Sequence, residues 1–350
     1  MFESLALPWL VSMFAASAVC VWVAGIHLSR ATDVLSVRWG MGEALGGMIL
    51  LAIVTNLPEI AIVASGAARG EISVAVGNIL GGIAIQTVVL VILDIALGKS
   101  GPLTHRAASL SLVLEAALVI AVLSVTVIGS QLPDTLIGCR VTPQGLLIAV
   151  LWMVGLGIIG RSRGSLPWQL KLGPEDLKAA ADSRAEGSAE KLSTASISRS
   201  VAIFVVGAVI TLICGVLLES TGDAIATHIG MDGILFGATV LAAATSLPEV
   251  STGLASIKLK DDEMAVSDIF GGNAFLPVLF LLGTLISGQA ILPHADKFDL
   301  YLTGLGMLLT TVYLVGLIFR SPKRIAGMGR DSLLVLVLYV IGMVGLLCMA

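Results

Sequence analysis

The sequence predicts an all-α integral membrane protein of about ten transmembrane helices in two inverted five-helix repeats. Three observations lead there: a composition too apolar for a soluble domain, ten runs of bilayer-spanning length, and one short phrase written twice. Of 350 residues, 57% are hydrophobic and only 13% charged, and the mean hydropathy is +1.01, far from the usual soluble balance. A hydrocarbon layer about 30 Å thick takes roughly 20 apolar residues per helix. Runs of that length lie at 7–29, 42–68, 71–97, 108–129, 143–160, 199–219, 232–257, 264–287, 299–319 and 331–349. None shows the dyad alternation of an outer-membrane barrel, so helices are expected. No stretch remains for a soluble catalytic domain.

The first run is not a cleavable signal: Glu3 precedes it without a Lys or Arg, it is too long, and Arg30 follows it. Cys20, Cys139, Cys214 and Cys348 are far apart and are expected to be small packing residues, forming neither a disulfide framework nor a zinc site. Numbering the runs sorts the loops onto two sides. Arg69, Arg140 and Lys297 fall on one side, and the other seventeen of the 20 Lys and Arg fall on the opposite one. By the positive-inside rule both termini face outward and the 161–198 loop is cytoplasmic. That loop, too short for a folded domain, is expected to be a charged linker between a first half at 1–160 and a second at 199–350. Pro174, Glu175 and Asp176 suit the start of a short surface helix over 174–186. The small size and lack of a targeting extension point to a bacterial inner membrane.

The repeated phrase is Thr55-Asn56-Leu57-Pro58-Glu59 and, 190 positions on, Thr245-Ser246-Leu247-Pro248-Glu249. Residues 41–88 and 231–278 align without a gap and match at 16 of 48 positions, a mark of duplicated architecture. Five runs separate the second from the seventh. Five is odd, so the two copies cross the bilayer in opposite directions, the plan in which interrupted helices meet at a midplane substrate site. Each proline frees a carbonyl of the preceding turn, near Val54 and Ala244. Thr55, Asn56, Thr245 and Ser246 add side-chain oxygens, and Glu59 and Glu249 supply charge. Oxygen ligation with two carboxylates suits a hard cation, calcium above all. The bland alternative is a helix kink with a protonated carboxylate used as packing, which two symmetric copies make less economical. Gly81-Gly82 and Gly271-Gly272 read mainly as close helix packing. Asp268 is a second intramembrane acid, either part of the site or satisfied by an internal hydrogen bond. Asp94 and Glu115 read as interfacial or locally paired. Phosphate-binding glycine loops, HExxH and serine-nucleophile elbows are absent.

At these residues the chain resembles the cation/Ca2+ exchanger superfamily, which includes Na+/Ca2+ and H+/Ca2+ antiporters. The match is to a G-T-S-L-P-E type motif followed by G-N-x-x-G-S-N; it is specific over 41–88 and 231–278 and topological elsewhere. The resemblance implies Glu59 and Glu249 as central calcium ligands, Thr55, Thr245 and Ser246 as hydroxyl ligands, and backbone carbonyls from Ala52 and Ala242. Asn56 stands where the first repeat usually has Ser. Gly82 and Gly272 replace a serine associated with flanking sodium sites, Gln86 and Leu276 replace a frequent Asn or Asp of sodium-coupled members, and Asp268 replaces an Asn. Several sodium ligands are therefore missing while the calcium centre is kept.

The expected function is secondary active antiport of Ca2+ against Na+ or H+ by alternating access, with the first and sixth runs sliding across the site-bearing core as in that family. No enzyme activity and no cofactor are expected. The expected partners are inorganic cations and the lipid bilayer, with no nucleic acid. The alternatives are an antiporter for K+, Mn2+ or Mg2+, a passive channel, an intramembrane acid protease, and a non-transporting ion sensor or scaffold. Against the protease, the acids are glutamates inside Leu-Pro-Glu and no second catalytic motif accompanies them.

Overall fold

The structure is a computed structural model that describes residues 5–38, 53–70, 72–107, 109–138, 140–165, 197–295 and 297–349. The first half contributes α1 (Leu7–Arg38), α2 (Leu57–Arg69), α3 (Ser73–Ala96), α4 (Leu110–Ser130) and α5 (Pro143–Ser165). The second contributes α6 (Ile197–Ile229), α7 (Gly233–Lys258), α8 (Asp262–Ser287), α9 (Lys297–Phe319) and α10 (Arg330–Met349). Among the described residues, all but α2 are long and apolar enough to cross a membrane. The start of the second run, with Ala52, and the expected linker helix at 174–186 lie outside the described residues.

Apolar runs form helices because in lipid every backbone polar group must be satisfied internally. Position in the bundle is not set by apolarity, because lipid accepts apolar faces as readily as the core does; it is read from burial. Of the apolar window of α3, 72% is buried, against 28% for α1 and α6. α3 is thus the central rod, packed by α7, α8, α9 and α10, while α1 and α6 pair with each other on the outside. That pair is antiparallel: Gly207 of α6 meets Leu28 and Ala24, and Gly222 meets Phe14 near the other end of α1. The pair is seated on the core by two equivalent glycines. A Cβ on Gly25 would lie 2.7 Å from the Pro248 side chain, and one on Gly215 would lie 2.9 Å from the Pro58 carbonyl. Each outer helix therefore rests on the breaking proline of the opposite repeat.

Two helices run well past their expected ends. The first run is 7–29 and α1 continues to Arg38; the sixth is 199–219 and α6 continues to Ile229, 33 residues in all. Glu219 is buried and neutralised by an ion pair to Arg69, so its charge does not end the helix. Elsewhere the polar ends are tied locally, as expected for Asp94: it accepts hydrogen bonds from the Leu103 and Gly329 amides at 2.7 and 2.5 Å. Gly329 belongs to a short hairpin, Arg324–Ile325 with Met328–Gly329, that joins α9 to α10. Glu115 is buried within α4.

Candidate functional site

The two prolines break their helices at equivalent points. The chain leaves helical geometry at Asn56 (φ −91°, ψ 17°) and at Ser246 (φ −83°, ψ 0°), and a new helix begins at Leu57 and at Leu247 with Pro in its first turn. Pro is tolerated there because a first-turn N–H has no intrahelical partner to lose. Glu59 and Glu249 fall in those first turns, the positive end of the helix dipole, where a carboxylate is favoured. Both are almost fully buried, at 1% and 2% exposure. They converge: Glu249 is a charge neighbour of both Glu59 and Asp268. The Thr245 hydroxyl is a polar neighbour of Glu59, and the Gln86 amide bonds one oxygen of Glu249. Ahead of the second break, Gly237–Leu241 is π-helical, a local widening frequent at functional sites.

The remaining predicted residues divide into two groups. Thr245 reaches across the repeat boundary, donating to Asn78 Oδ1 at 3.3 Å, and Thr55 and Asn56 are buried at the first break. Ser246 instead turns back on its own helix, its hydroxyl donating to the Ala242 carbonyl at 2.7 Å. That carbonyl also accepts the Ser246 amide at 3.0 Å, so Ser246 and Ala242 are engaged with each other. Asp268 accepts the Thr252 hydroxyl at 2.8 Å, and Thr252 in turn contacts the Glu249 carbonyl at 3.2 Å. Among the described residues no three His, Cys, Asp or Glu side chains gather as a metal cluster. The arrangement is a pair of opposed glutamates with hydroxyl and amide neighbours.

Three amides complete this layer, and sequence reasoning assigned none of them to it: Gln86, Asn78 and Asn273, all 0% exposed. Gln86 Nε2 donates to Glu249 Oε1 at 3.4 Å. Asn273 Nδ2 reaches the Ile83 carbonyl at 3.4 Å and Thr87 Oγ1 at 3.2 Å, joining α3 to α8. The sequence signal was available, since an amide inside a fully apolar run must find a partner. These three lie outside the repeated Leu-Pro-Glu phrase, and only their contacts across the repeats bring them to the site.

The expectation that the paired glycines serve mainly packing divides as well. A Cβ on Gly81 would sit 2.2 Å from the Ala238 Cα, so Gly81 lets α3 and α7 touch backbone to backbone. Gly82 and Gly272 face equivalent positions of the opposite repeat. Gly82 meets Leu276, whereas Gly272 meets Gln86 and leaves room for Asn56, whose Nδ2 lies 3.1 Å from where a Cβ would be. The long amide at 56 and the missing side chain at 272 are one compensated exchange of volume.

Residues 9–160 and 199–347 match the family described as sodium/calcium exchanger protein. Inner membrane protein YrbG of Escherichia coli (strain K12) is 26% identical over 306 residues, 87% of each chain. Among solved structures, the sodium-calcium exchanger NCX_Mj superposes with TM-score 0.64 at 17% identity, covering 97% of this chain and 99% of its own. The H+/Ca2+ exchanger CAX gives 0.68 at 12% identity, with 97% and 82% covered. At those identities the likeness establishes the fold. With two matched segments spanning both repeats, the chain belongs to the sodium/calcium exchanger protein family, a family of membrane transporters.

Proposed function

We propose that the chain is a secondary active antiporter that moves Ca2+ against H+ or Na+ by alternating access, with Glu59 and Glu249 as one shared cation site and Thr55, Asn56, Thr245, Ser246 and Asp268 around it. The observation that carries this reading is the convergence of two buried glutamates at two helix breaks. Two carboxylates cost several kcal/mol each if left charged in a low-dielectric interior. A divalent cation neutralises both at once, and so do two protons or two monovalent cations. Only a neutralised site crosses the barrier cheaply, which makes exchange obligatory and leak expensive.

The flanking positions favour the proton as counter-ion. Leu276 fills the space beside Gly82 with carbon, which removes one of the two flanking positions as a separate sodium site, while beside Gly272 the Asn56 and Gln86 amides keep their oxygens. A carboxylate carries its own proton and needs no flanking site. In the same reading the chain divides into repeats at 1–160 and 199–350 joined by a cytoplasmic linker, with both termini on the other face of a bacterial inner membrane.

The test is 45Ca2+ uptake into everted vesicles with a pH gradient and a sodium gradient imposed separately. Uptake driven by the pH gradient alone is the expected result. Uptake driven by sodium alone would reassign the coupling ion, and no gradient-driven uptake of Ca2+ would overturn the proposal.

A further inference from the structure

We propose that Arg69 and Glu219 form a latch between the ion-site helix α2 and the outer helix α6, and that this latch sets how often the face of the protein farther from the 161–198 linker opens. The inference rests on the alternating-access reading above. It makes both residues positioning residues for transport, acting through the placement of α6.

Four side chains build the latch. Glu219, 0% exposed, pairs with Arg69. Ser65 Oγ donates to Glu219 Oε2 at 3.1 Å. Arg69 Nη1 donates to Ser220 Oγ at 2.5 Å, and Ser220 Oγ donates to the Val216 carbonyl at 2.8 Å. Glu219 lies 22 residues into α6, about 33 Å along its axis, at the edge of a hydrocarbon layer about 30 Å thick. One turn earlier, Gly215 rests on Pro58 and Ala61. The contact of α6 with the broken helix and the ion pair are therefore adjacent on one seam, and α6 cannot slide along α2 without separating the charges. An uncompensated buried charge is costly, so the closed seam is favoured while the pair is intact.

Symmetry isolates the effect. The repeat-equivalent positions are Ser29 and Leu259; Ser29 is buried and Leu259 is 49% exposed, and no ion pair can form between them. The corresponding α1–α7 seam has a neutral contact instead, Trp22 Nε1 to Ser251 Oγ. Among the described residues the latch thus has no equivalent at the repeat-related pair of positions, and it biases the balance between the two access states.

The test uses the full chain with its four cysteines replaced by alanine and, as reporter, Ala61→Cys, at a position buried on the same seam but outside the latch. Labelling by a membrane-impermeant maleimide is measured from the face that carries Arg69, with and without Glu219→Gln. Gln keeps the shape and removes the charge. Labelling is expected to rise roughly tenfold, within the usual range of such couplings; an unchanged rate in a variant of normal thermal stability would overturn the proposal. A second readout is apparent Ca2+ affinity at each face of the vesicle. A population shift tightens one face and weakens the other in opposite senses, whereas equal weakening at both faces would mean mere destabilisation and would also overturn it. Labelling requires no transport. A chain that labels as expected yet exchanges no Ca2+ would retain the latch and sink the antiporter reading.

Discussion

Around Glu59 the first repeat supplies a helix break at Asn56 and a proline under Gly215 of α6, and Thr245 of the second repeat reaches across to Asn78 of the first. Around Glu249 the second supplies a break at Ser246, a proline under Gly25 of α1 and Asp268 held by Thr252, and the Gln86 amide of the first repeat donates to Glu249. The backbone elements are the same in both halves and the polar neighbours are not. Duplication has kept what makes an anion tolerable in a membrane, namely a broken helix, a first-turn carboxylate and a small residue that lets another helix close over it. It has let diverge the groups that choose which ions neutralise the site. Selectivity is therefore to be sought in the differences between the halves, and activity in what they share.

The largest expected effect comes from the shared part. Glu59→Gln and Glu249→Gln should each lower Ca2+ flux by at least about a hundredfold, with insertion and monodispersity unchanged, because one remaining carboxylate neutralises a divalent cation poorly at low dielectric. Flux assays on the two variants side by side check this, and unequal losses would show the halves to be inequivalent in function as well as in neighbours. Next, Gly81→Leu should destabilise the fold by about 1–3 kcal/mol, since its side chain would enter the Ala238 backbone. Thermal unfolding in detergent measures that loss. Gly157, with nothing within 4 Å of its would-be Cβ, should accept Ala with a change within about 0.5 kcal/mol.

Smaller effects sharpen the contrast. Gln86→Leu makes the position match its counterpart Leu276 and removes a hydrogen bond to a carboxylate, a change of about 1.5 kcal/mol or roughly tenfold in apparent Ca2+ affinity. Gly272→Ser alone should be poorly tolerated because its side chain meets Asn56; combined with Asn56→Ser, stability should recover by about 1 kcal/mol, a non-additivity that a double-mutant cycle reads directly.

Hydropathy made the bundle legible because lipid permits few structures: runs of the right length become helices, and a strict count of runs gives the inversion. The doubled Leu-Pro-Glu likewise marked both helix breaks, since proline acts on its own turn. What stayed hidden depended on contacts between distant segments. That Glu219 is buried inside α6 is not legible in the sequence, because its partner Arg69 stands 150 positions earlier. The bond from the Ser246 hydroxyl to the Ala242 carbonyl is a local contact, a hydroxyl meeting the carbonyl one turn before it. Asn56 and Gly272 were noted as two separate departures, and only their adjacency makes them one.

The central claim, that Glu59 and Glu249 form a single site, is tested most directly by equilibrium binding of 45Ca2+ to the purified protein and to each single Gln variant. One saturable site is predicted in the wild type, lost in both variants. Binding that persists at wild-type affinity in either variant would contradict the account, because each glutamate would then be holding its own ion or none.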